Sequence, residues 1–154
     1  MCRSIDARIG YGQIMVTAER FNGLSVRKLP GYLGIVITQV GDSQVVGELP
    51  VLERVMAPNG FLHAGTIVTL ADTVAGCGCL AHLPAEATGF TTIELKSNHL
   101  GTAQDGTIVG VATPVHLGKT TQVWDARVTH KESGRTLAVF RCTQLILYTR
   151  QKSA

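Results

Sequence analysis

The sequence of 154 residues predicts an α+β fold, in which one long central helix is wrapped by a five- or six-stranded antiparallel sheet. Two observations lead to this prediction. Residues 64–83 are apolar nearly all round and have the length of a helix, and Pro84 ends the run. Segments on both sides alternate apolar and polar residues, as half-buried strands do. A helix of this composition must be buried, and only a curved sheet made from those strands can cover it.

Composition and charge narrow the class of protein. Hydrophobic residues make up 45% of the chain and charged residues 16%, which supports a folded core rather than disorder. The net charge is +3, but Lys and Arg are scattered, so a nucleic-acid surface is not indicated. A mild positive balance suits an anionic ligand. The four cysteines, Cys2, Cys77, Cys79 and Cys142, have neither zinc nor redox spacing, and we interpret them as reduced thiols of a cytoplasmic protein.

The elements before the central helix follow from turn residues and alternation. Residues 1–29 are predicted to be an irregular or helical lead-in, without a signal peptide, and residues 30–150 the main domain. Residues 33–40 and 44–49 read as two strands of a hairpin, because a short Gly-Asp-Ser turn separates them. A loop over residues 50–63, with two prolines and a glycine, leads to the helix.

The predicted helix is long enough to be considered as a membrane span. Asp72 near its middle and His82 near its end argue against that, since a lone carboxylate at the centre of a bilayer is expensive. We therefore expect a buried helix and no membrane association, with His63 as a candidate N-cap. Four further strands follow the helix, separated by turns at residues 105–106, 118–119 and 131–134. They are residues 90–97, 107–116, 120–130 and 135–148.

Asp72 is the residue that most clearly suggests chemistry. It lies eight residues into an otherwise uncharged helix. Burial of an unpaired carboxylate is costly unless its pKa rises or donors satisfy it, and such perturbed groups often mark functional sites. The alternative is a structural Asp that is hydrogen-bonded to a nearby hydroxyl such as Thr69 or Thr73.

The start of the helix is the second such feature. Asn59 and Gly60 lie in a flexible loop, and His63, Ala64 and Gly65 bring free N–H groups to the positive end of a long helix. Such an end stabilises a developing oxyanion, and the glycines permit close approach of a ligand. For His63 the alternative is a simple capping or packing role.

The spacing of these two features predicts the assembly. Ala64 and Asp72 are eight residues apart, which places them about 12 Å apart along one helix. One reacting carbonyl cannot touch both, so a site that uses both combines helices from two subunits of a two-fold homodimer. A small sheet around one helix also leaves an edge strand open, and pairing of two edges covers it.

Three segments resemble one enzyme family. Residues 62–76 (LHAGTIVTLADTVAG) resemble the H-G-G…A-[DE] helix motif of hotdog-fold acyl-CoA thioesterases, in the branch of the 4-hydroxybenzoyl-CoA, phenylacetate-pathway and dihydroxynaphthoyl-CoA thioesterases. Residues 93–106 (IELKSNHLGTAQDG) are similar to the family's next strand, and residues 116–128 (HLGKTTQVWDARV) to its following strand pair. The resemblance covers residues 30–148 and implies the hotdog fold and hydrolysis of an acyl-CoA thioester.

The resemblance implies roles for individual residues near the thioester. Asp72 is the carboxylate that either attacks the thioester carbonyl or activates a water. Ala64, followed by Gly65, supplies the oxyanion N–H, His63 assists close to the thioester, and Thr92 carries a hydroxyl that helps to hold water.

Four other residues match positions that meet coenzyme A. Asn98 and His99 correspond to positions near the CoA arm, and Lys119, after Gly118, is placed to meet phosphate charge. The alternative for Lys119 is a solvated surface lysine. Coenzyme A is part of the substrate, and we expect no separate cofactor and no metal.

Two positions depart from the family pattern. Ala64 stands where the motif has its second glycine, although an alanine N–H donates equally well. Ala57 stands where many relatives carry Gln or Asn beside the thioester carbonyl, and Asn59, two residues on, is a candidate replacement.

Two other functions remain open at this stage, a hotdog hydroxyacyl-thioester dehydratase and a non-catalytic acyl-CoA binding protein. The pocket is expected to be lined by Phe61, Val68 and Phe90, which does not distinguish aryl from alkyl acyl groups. A tetramer is common in the family, but nothing in the sequence requires one.

Overall fold

The computed structural model describes residues 16–149. In chain order, the elements are α1 (Ala18–Ser25), α2 (Leu29–Leu33), β1 (Val36–Val40), β2 (Val45–Pro50), a 3₁₀ turn (Glu53–Val55), α3 (Ala64–Ala81), β3 (Ala87–His99), β4 (Thr107–Leu117), β5 (Thr121–His130) and β6 (Thr136–Tyr148). The strands form one sheet in the order β1-β2-β4-β5-β6-β3, with antiparallel neighbours throughout. Each of the six strands contacts α3, which confirms the predicted helix wrapped by a six-stranded sheet.

The central helix α3 is buried by this sheet. Leu70 and Val74 have no exposed surface, and ten of the eighteen helical residues are buried. The helix is long and apolar enough to cross a membrane, but 56% of it is buried inside the fold. This burial supports its interpretation as a core helix.

The end of α3 is fixed to the sheet by close packing and a short chain of hydrogen bonds. A methyl group added at Gly78 would lie 2.5 Å from the ring of Trp124 on β5, so the helix backbone rests directly on this indole. The indole Nε1 donates to Gln122 Oε1 at 3.0 Å, and Gln122 Nε2 donates to the carbonyl of His82 at 2.8 Å. His82 is the C-cap residue, which explains why the helix ends two residues before the predicted boundary at residue 83.

The first strand was predicted to begin too early. Residues 29–33 form the short helix α2, and β1 starts only at Val36. Pro30 occupies the first turn of α2, where its missing N–H costs nothing, and Gly34 ends the helix with a left-handed φ of 89°. Strand β3 is longer than predicted, since it runs over residues 87–99 rather than 90–97, and the other strands agree within one residue.

The lead-in is partly described. Helix α1 packs on β1, where the side chain of Asn22 bonds to both the N–H and the carbonyl of Ile37, each at 2.8 Å. The predicted division of the chain at residues 29 and 30 stays a prediction.

Three of the four cysteines lie in the described part of the chain, and Cys2 lies outside it. Cys77, Cys79 and Cys142 are free and buried. Burial raises the pKa of each thiol to about 12, so all three are neutral near pH 7.

Candidate active site

The start of α3 presents one free backbone donor. His63 caps the helix in an extended conformation, and its ring Nδ1 accepts the N–H of Gly65 at 2.8 Å. The N–H of Thr66 donates to the carbonyl of His63 at 2.9 Å. Within residues 16–149, the Ala64 N–H makes no hydrogen bond. This N–H, at the positive end of an eighteen-residue helix, is therefore available to an anionic oxygen.

The His63 ring is oriented by the same contact. Because Nδ1 accepts a hydrogen bond, a neutral ring carries its proton on Nε2, which is then free to donate. A methyl group added at Gly65 would lie 2.9 Å from Nδ1. The glycine thus leaves room for the ring to fold over the helix start. His63 therefore has the capping role that the sequence analysis considered.

The loop before helix α3 is a tight turn, and the side chain of Asn59, a candidate site residue, takes part in its hydrogen bonds. The N–H of Ala57 donates to the carbonyl of Phe61 at 2.7 Å, and Gly60 completes the turn with a φ of 79°. Asn59 Oδ1 accepts the N–H of Phe61 at 3.2 Å, which leaves its Nδ2 as the group that can reach a ligand. A cavity of about 570 Å³ borders this loop, and Ala57 and Gln104 are among the residues that line it.

Asp72 is a partly buried carboxylate that lacks a full set of donors. Its Oδ1 is buried and has no hydrogen-bond partner within the described residues. Burial raises the pKa of Asp72, while the polar side chain of Thr92 acts more weakly in the opposite direction. Thr69, considered above as a structural partner, donates instead to the carbonyl of Gly65 at 2.8 Å. A carboxylate held in this way is a better base than an exposed one.

The surroundings of Asp72 include two residues that the sequence analysis missed. Thr92 on β3 donates its hydroxyl to Gln144 Oε1 on β6 at 2.9 Å, and Gln144 Nε2 donates to Cys142 Sγ at 3.3 Å. Gln144 and Cys142 are both fully buried. The pattern that indicates them is a glutamine at an inward position of the last strand, between Cys142 and Ile146.

The residues expected near the CoA arm do not share one face of the sheet. Asn98 pairs with Val139 and lines a cavity of about 590 Å³ on the outer face, together with Lys96 and Arg127. His99 follows Asn98 along β3 and points to the opposite face by alternation. Asn98 is therefore not brought together with Asp72 within one chain.

The turn between β4 and β5 lies at the Asp72 end of the molecule. Gln122, just after this turn, pairs with Gln144, which in turn pairs with Thr92. The N–H of Gly118 donates to the carbonyl of Thr121 at 3.0 Å, and the carbonyl of Lys119 accepts the Tyr148 hydroxyl. The fold thus places the ammonium group of Lys119 on an exposed turn near this end.

The two candidate groups, the Ala64 N–H and the Asp72 carboxylate, lie apart in one chain. The N–H of Leu62 donates to the carbonyl of Ala103 at 2.9 Å, so the helix start lies beside the segment that follows β3. Asp72 lies about 12 Å further along α3, beside Thr92 in the first half of β3. A single carbonyl cannot contact both the Ala64 N–H and Asp72 of the same chain.

Comparisons with known proteins bear on this site. Residues 59–142 match the family model described as Thioesterase superfamily. A 1,4-dihydroxy-2-naphthoyl-CoA hydrolase from Listeria monocytogenes is 36% identical over 111 residues, which cover 72% of this chain and 89% of the relative. An Escherichia coli protein of the same name is 31% identical, over 86% of this chain and 96% of its own. The crystal structure of a thioesterase from Haemophilus influenzae superposes with a TM-score of 0.82 at 30% identity, and covers 92% of this chain and 97% of its own.

Proposed function

The chain belongs to the thioesterase superfamily, and from this membership we propose that it hydrolyses an acyl-CoA thioester to the free acid and coenzyme A. The family resemblance carried by residues 62–76 is confirmed by the match. Two relatives named as CoA hydrolases, each more than 30% identical over most of their length, support acyl-CoA as the substrate class.

One observation assigns the proposed reaction to specific residues. The buried Oδ1 of Asp72 has no partner within residues 16–149, and the helix that holds Asp72 begins with the free N–H of Ala64. Asp72 either adds to the thioester carbonyl carbon or removes a proton from a water that adds to it. The carbonyl oxygen then becomes an oxyanion, the C–S bond breaks as it collapses, and coenzyme A leaves as a thiolate that takes up a proton. When Asp72 itself adds, this step leaves an acyl-Asp72 anhydride, which a water hydrolyses to the free acid and the regenerated carboxylate. When Asp72 activates a water, the free acid forms directly and the proton held by Asp72 passes to the thiolate.

The oxyanion is held by the start of α3 in this proposal. Ala64 donates its N–H, and the Nε2–H of His63 is a second donor close by. Gly65 gives the His63 ring its room, and Asn59 Nδ2 is the amide donor that stands in for the Gln or Asn absent at Ala57. Asn59, His63, Ala64 and Gly65 are exposed in the single chain, and we propose that the bound substrate and the partner subunit exclude water from these donors, where they are worth most.

The open edge of the sheet supports a homodimer with shared sites. Strand β3 is thirteen residues long and pairs only with β6, so its other edge is open within the described chain. On this strand, Ile93 is 55% exposed and Leu95 is 44% exposed. An open strand edge with exposed apolar side chains favours pairing with another strand. Antiparallel pairing of two β3 strands brings the first half of one beside the second half of the other. That arrangement moves Asp72 of one subunit towards Ala64 of its partner.

We assign binding of the CoA arm to exposed polar residues on β3 and in the turn between β4 and β5. We assign the phosphate contact to Lys119, on the turn made possible by Gly118, and contacts along the arm to His99 and to Asn98 at the outer face. The three buried free thiols support a reducing, cytoplasmic setting. No cofactor besides the substrate's own CoA enters this chemistry.

The experiment that tests this proposal replaces Asp72 with Asn. We expect kcat to fall about 10²–10⁴-fold, the usual contribution of a positioned acid or base, with acyl-CoA binding retained in calorimetry. Asp42→Asn, in the exposed turn between β1 and β2, is the matched control and should keep full activity. An Asp72→Asn variant with undiminished kcat would contradict the assignment.

The substrates chosen for this experiment also separate the other two functions. A panel of aryl- and alkyl-CoA thioesters should include at least one that the wild-type protein hydrolyses. Binding across the panel without turnover would indicate a non-catalytic acyl-CoA binding protein, and hydration of an enoyl thioester would indicate a dehydratase.

A further inference from the structure

Helix α1 covers one edge of the sheet with a side chain that mimics a neighbouring strand. Strand β1 stands first in the strand order and, within residues 16–149, pairs with β2 alone, so no strand lies along its other edge. On this edge, Asn22 Oδ1 accepts the N–H of Ile37 and Asn22 Nδ2 donates to the carbonyl of Ile37, each at 2.8 Å. One half-buried amide thus fills the donor and the acceptor that a further antiparallel strand would use.

The sequence of β1 explains why its edge needs a cover. Residues 35–40 read IVITQV, with no charged residue, no proline and no glycine, and five of the six residues are β-branched. Val36 is 49% exposed, so apolar surface lies beside the edge. A short segment of this kind pairs readily with a copy of itself when its edge is free. The strand has none of the charges or prolines that usually prevent such pairing, and Asn22 takes over their role.

The cover is a small element that depends on its contacts. Helix α1 has eight residues and packs mainly on β1 and α2. A helix of this length is not stable by itself in water. Phe21 packs against the core, whereas the neighbouring Asn22 binds the backbone of the edge. Loss of the two Asn22 hydrogen bonds therefore weakens the hold of α1 on the strand that it covers.

The two edges of the sheet have different consequences for assembly. The proposed homodimer uses the β3 edges of both subunits and leaves one β1 edge at each end of the joined sheet. If these two edges were also free to pair, dimers would join end to end in an open-ended row. Closure of the β1 edge stops this growth at the dimer.

We propose that the β1 edge is a latent pairing surface for a second copy of this chain, and that Asn22 keeps this surface closed. The inference uses the proposed pairing of β3 only for the size of the wild-type assembly, and it is independent of the proposed hydrolysis. Without the Asn22 amide, Ile37 regains a free N–H and a free carbonyl, and β1 of another molecule can bind them in antiparallel pairing.

The test compares the wild type with Asn22→Leu, which has a side chain of similar size without the two polar groups. Light scattering after size-exclusion chromatography measures the mass over a range of concentrations. The wild type should keep one finite mass, and the variant should form larger species whose mass rises about twofold or more as dimers join. At low concentration, hydrogen exchange of the Ile37 amide should become about tenfold faster in the variant, the size of one lost hydrogen bond.

Two further variants separate the edge from a general loss of stability. Ile108→Val is the matched control, because Ile108 is fully buried on β4, between β2 and β5, and loss of one methyl group destabilises the core without touching an edge. It should keep the wild-type mass. Adding Val36→Lys to Asn22→Leu places a charge on β1 and should also restore the wild-type mass, because charged edge strands resist pairing.

An unchanged mass in Asn22→Leu, or equally large species in Ile108→Val, would overturn the proposal. Large species that persist after Val36→Lys is added would overturn the assignment to the β1 edge. If Asn22→Leu does not fold, Asn22→Ala removes the same two groups with a residue that favours the helix, and the same outcomes decide. A monomeric wild type, with larger species in Asn22→Leu alone, would instead reject the proposed β3 dimer and leave the role of Asn22 supported.

Discussion

Replacement of Ala64 by proline removes one backbone N–H from the candidate site and leaves the helix intact. Ala64 is the first residue of α3, where proline is well tolerated because the N–H has no partner within the helix. The residue before a proline must be extended, and His63 already has φ −66° and ψ 133°. The substitution therefore deletes the proposed oxyanion donor with little other change.

The size of the effect follows from the hydrogen bonds at the helix start. The N–H groups of Gly65 and Thr66 are already used by His63, so Ala64 contributes one free donor. Loss of one oxyanion donor lowers kcat about 10²–10³-fold. Proline also restricts the unfolded chain and stabilises a compatible site by about 0.4–1 kcal/mol, which corresponds to a rise in Tm of at most about 2–4 °C for a chain of this size.

Steady-state hydrolysis of an acyl-CoA thioester and thermal unfolding measure the two quantities. Ala64→Gly keeps the N–H and serves as the control, with kcat close to that of the wild type. Full activity in Ala64→Pro would refute the assignment of the donor. A large fall in Tm would refute the helix boundary on which the reasoning depends.

Three further predictions concern stability and reactivity. Burial raises the pKa of Asp72 in the folded state, so folding favours its protonated form. The stability that this gives is present at low pH and is lost as the pH rises through the folded pKa. Asp72→Asn should therefore raise Tm at pH 8, and this gain should vanish near pH 3. Gly78→Ala forces a methyl group to within 2.5 Å of Trp124, and overpacking of about 1–3 kcal/mol should outweigh the gain of about 1 kcal/mol in helix propensity. Gly23→Ala, with nothing within 4 Å, should instead stabilise the protein, and denaturant unfolding measures both. Cys142, buried and with its pKa raised to about 12, should resist alkylation at pH 8 until the protein unfolds, and rapid labelling of the native protein would contradict its burial.

The parts of the fold that the sequence predicts are those with strong local patterns. The central helix follows from a long apolar run closed by Pro84, and Asp72 is conspicuous because it interrupts that run. Helix α2 was missed because its five residues include Pro30 and Gly31, which are typical of loops. Such a short helix owes its stability to its surroundings, and a pattern of residues alone does not reveal it.

The parts that could not be predicted depend on register between distant strands. Gln144 meets Thr92 across 52 residues of sequence, and no local pattern gives that pairing. Thr92 and Asn98 are six residues apart and would share one face of a regular strand. The register shift between Thr92 and Glu94 places them on opposite faces, which is why Asn98 lines the outer cavity.

Subunit complementation tests most directly whether the active site combines two chains. Asp72→Asn and Ala64→Pro should each be nearly inactive alone. In a mixed dimer, Asp72 of the Ala64→Pro subunit meets Ala64 of the Asp72→Asn subunit, which gives one intact site. Random assembly of equal amounts makes half of the dimers mixed, so we predict recovery of about one quarter of wild-type activity. No recovery in a preparation shown by mass spectrometry to contain mixed dimers would contradict the shared site.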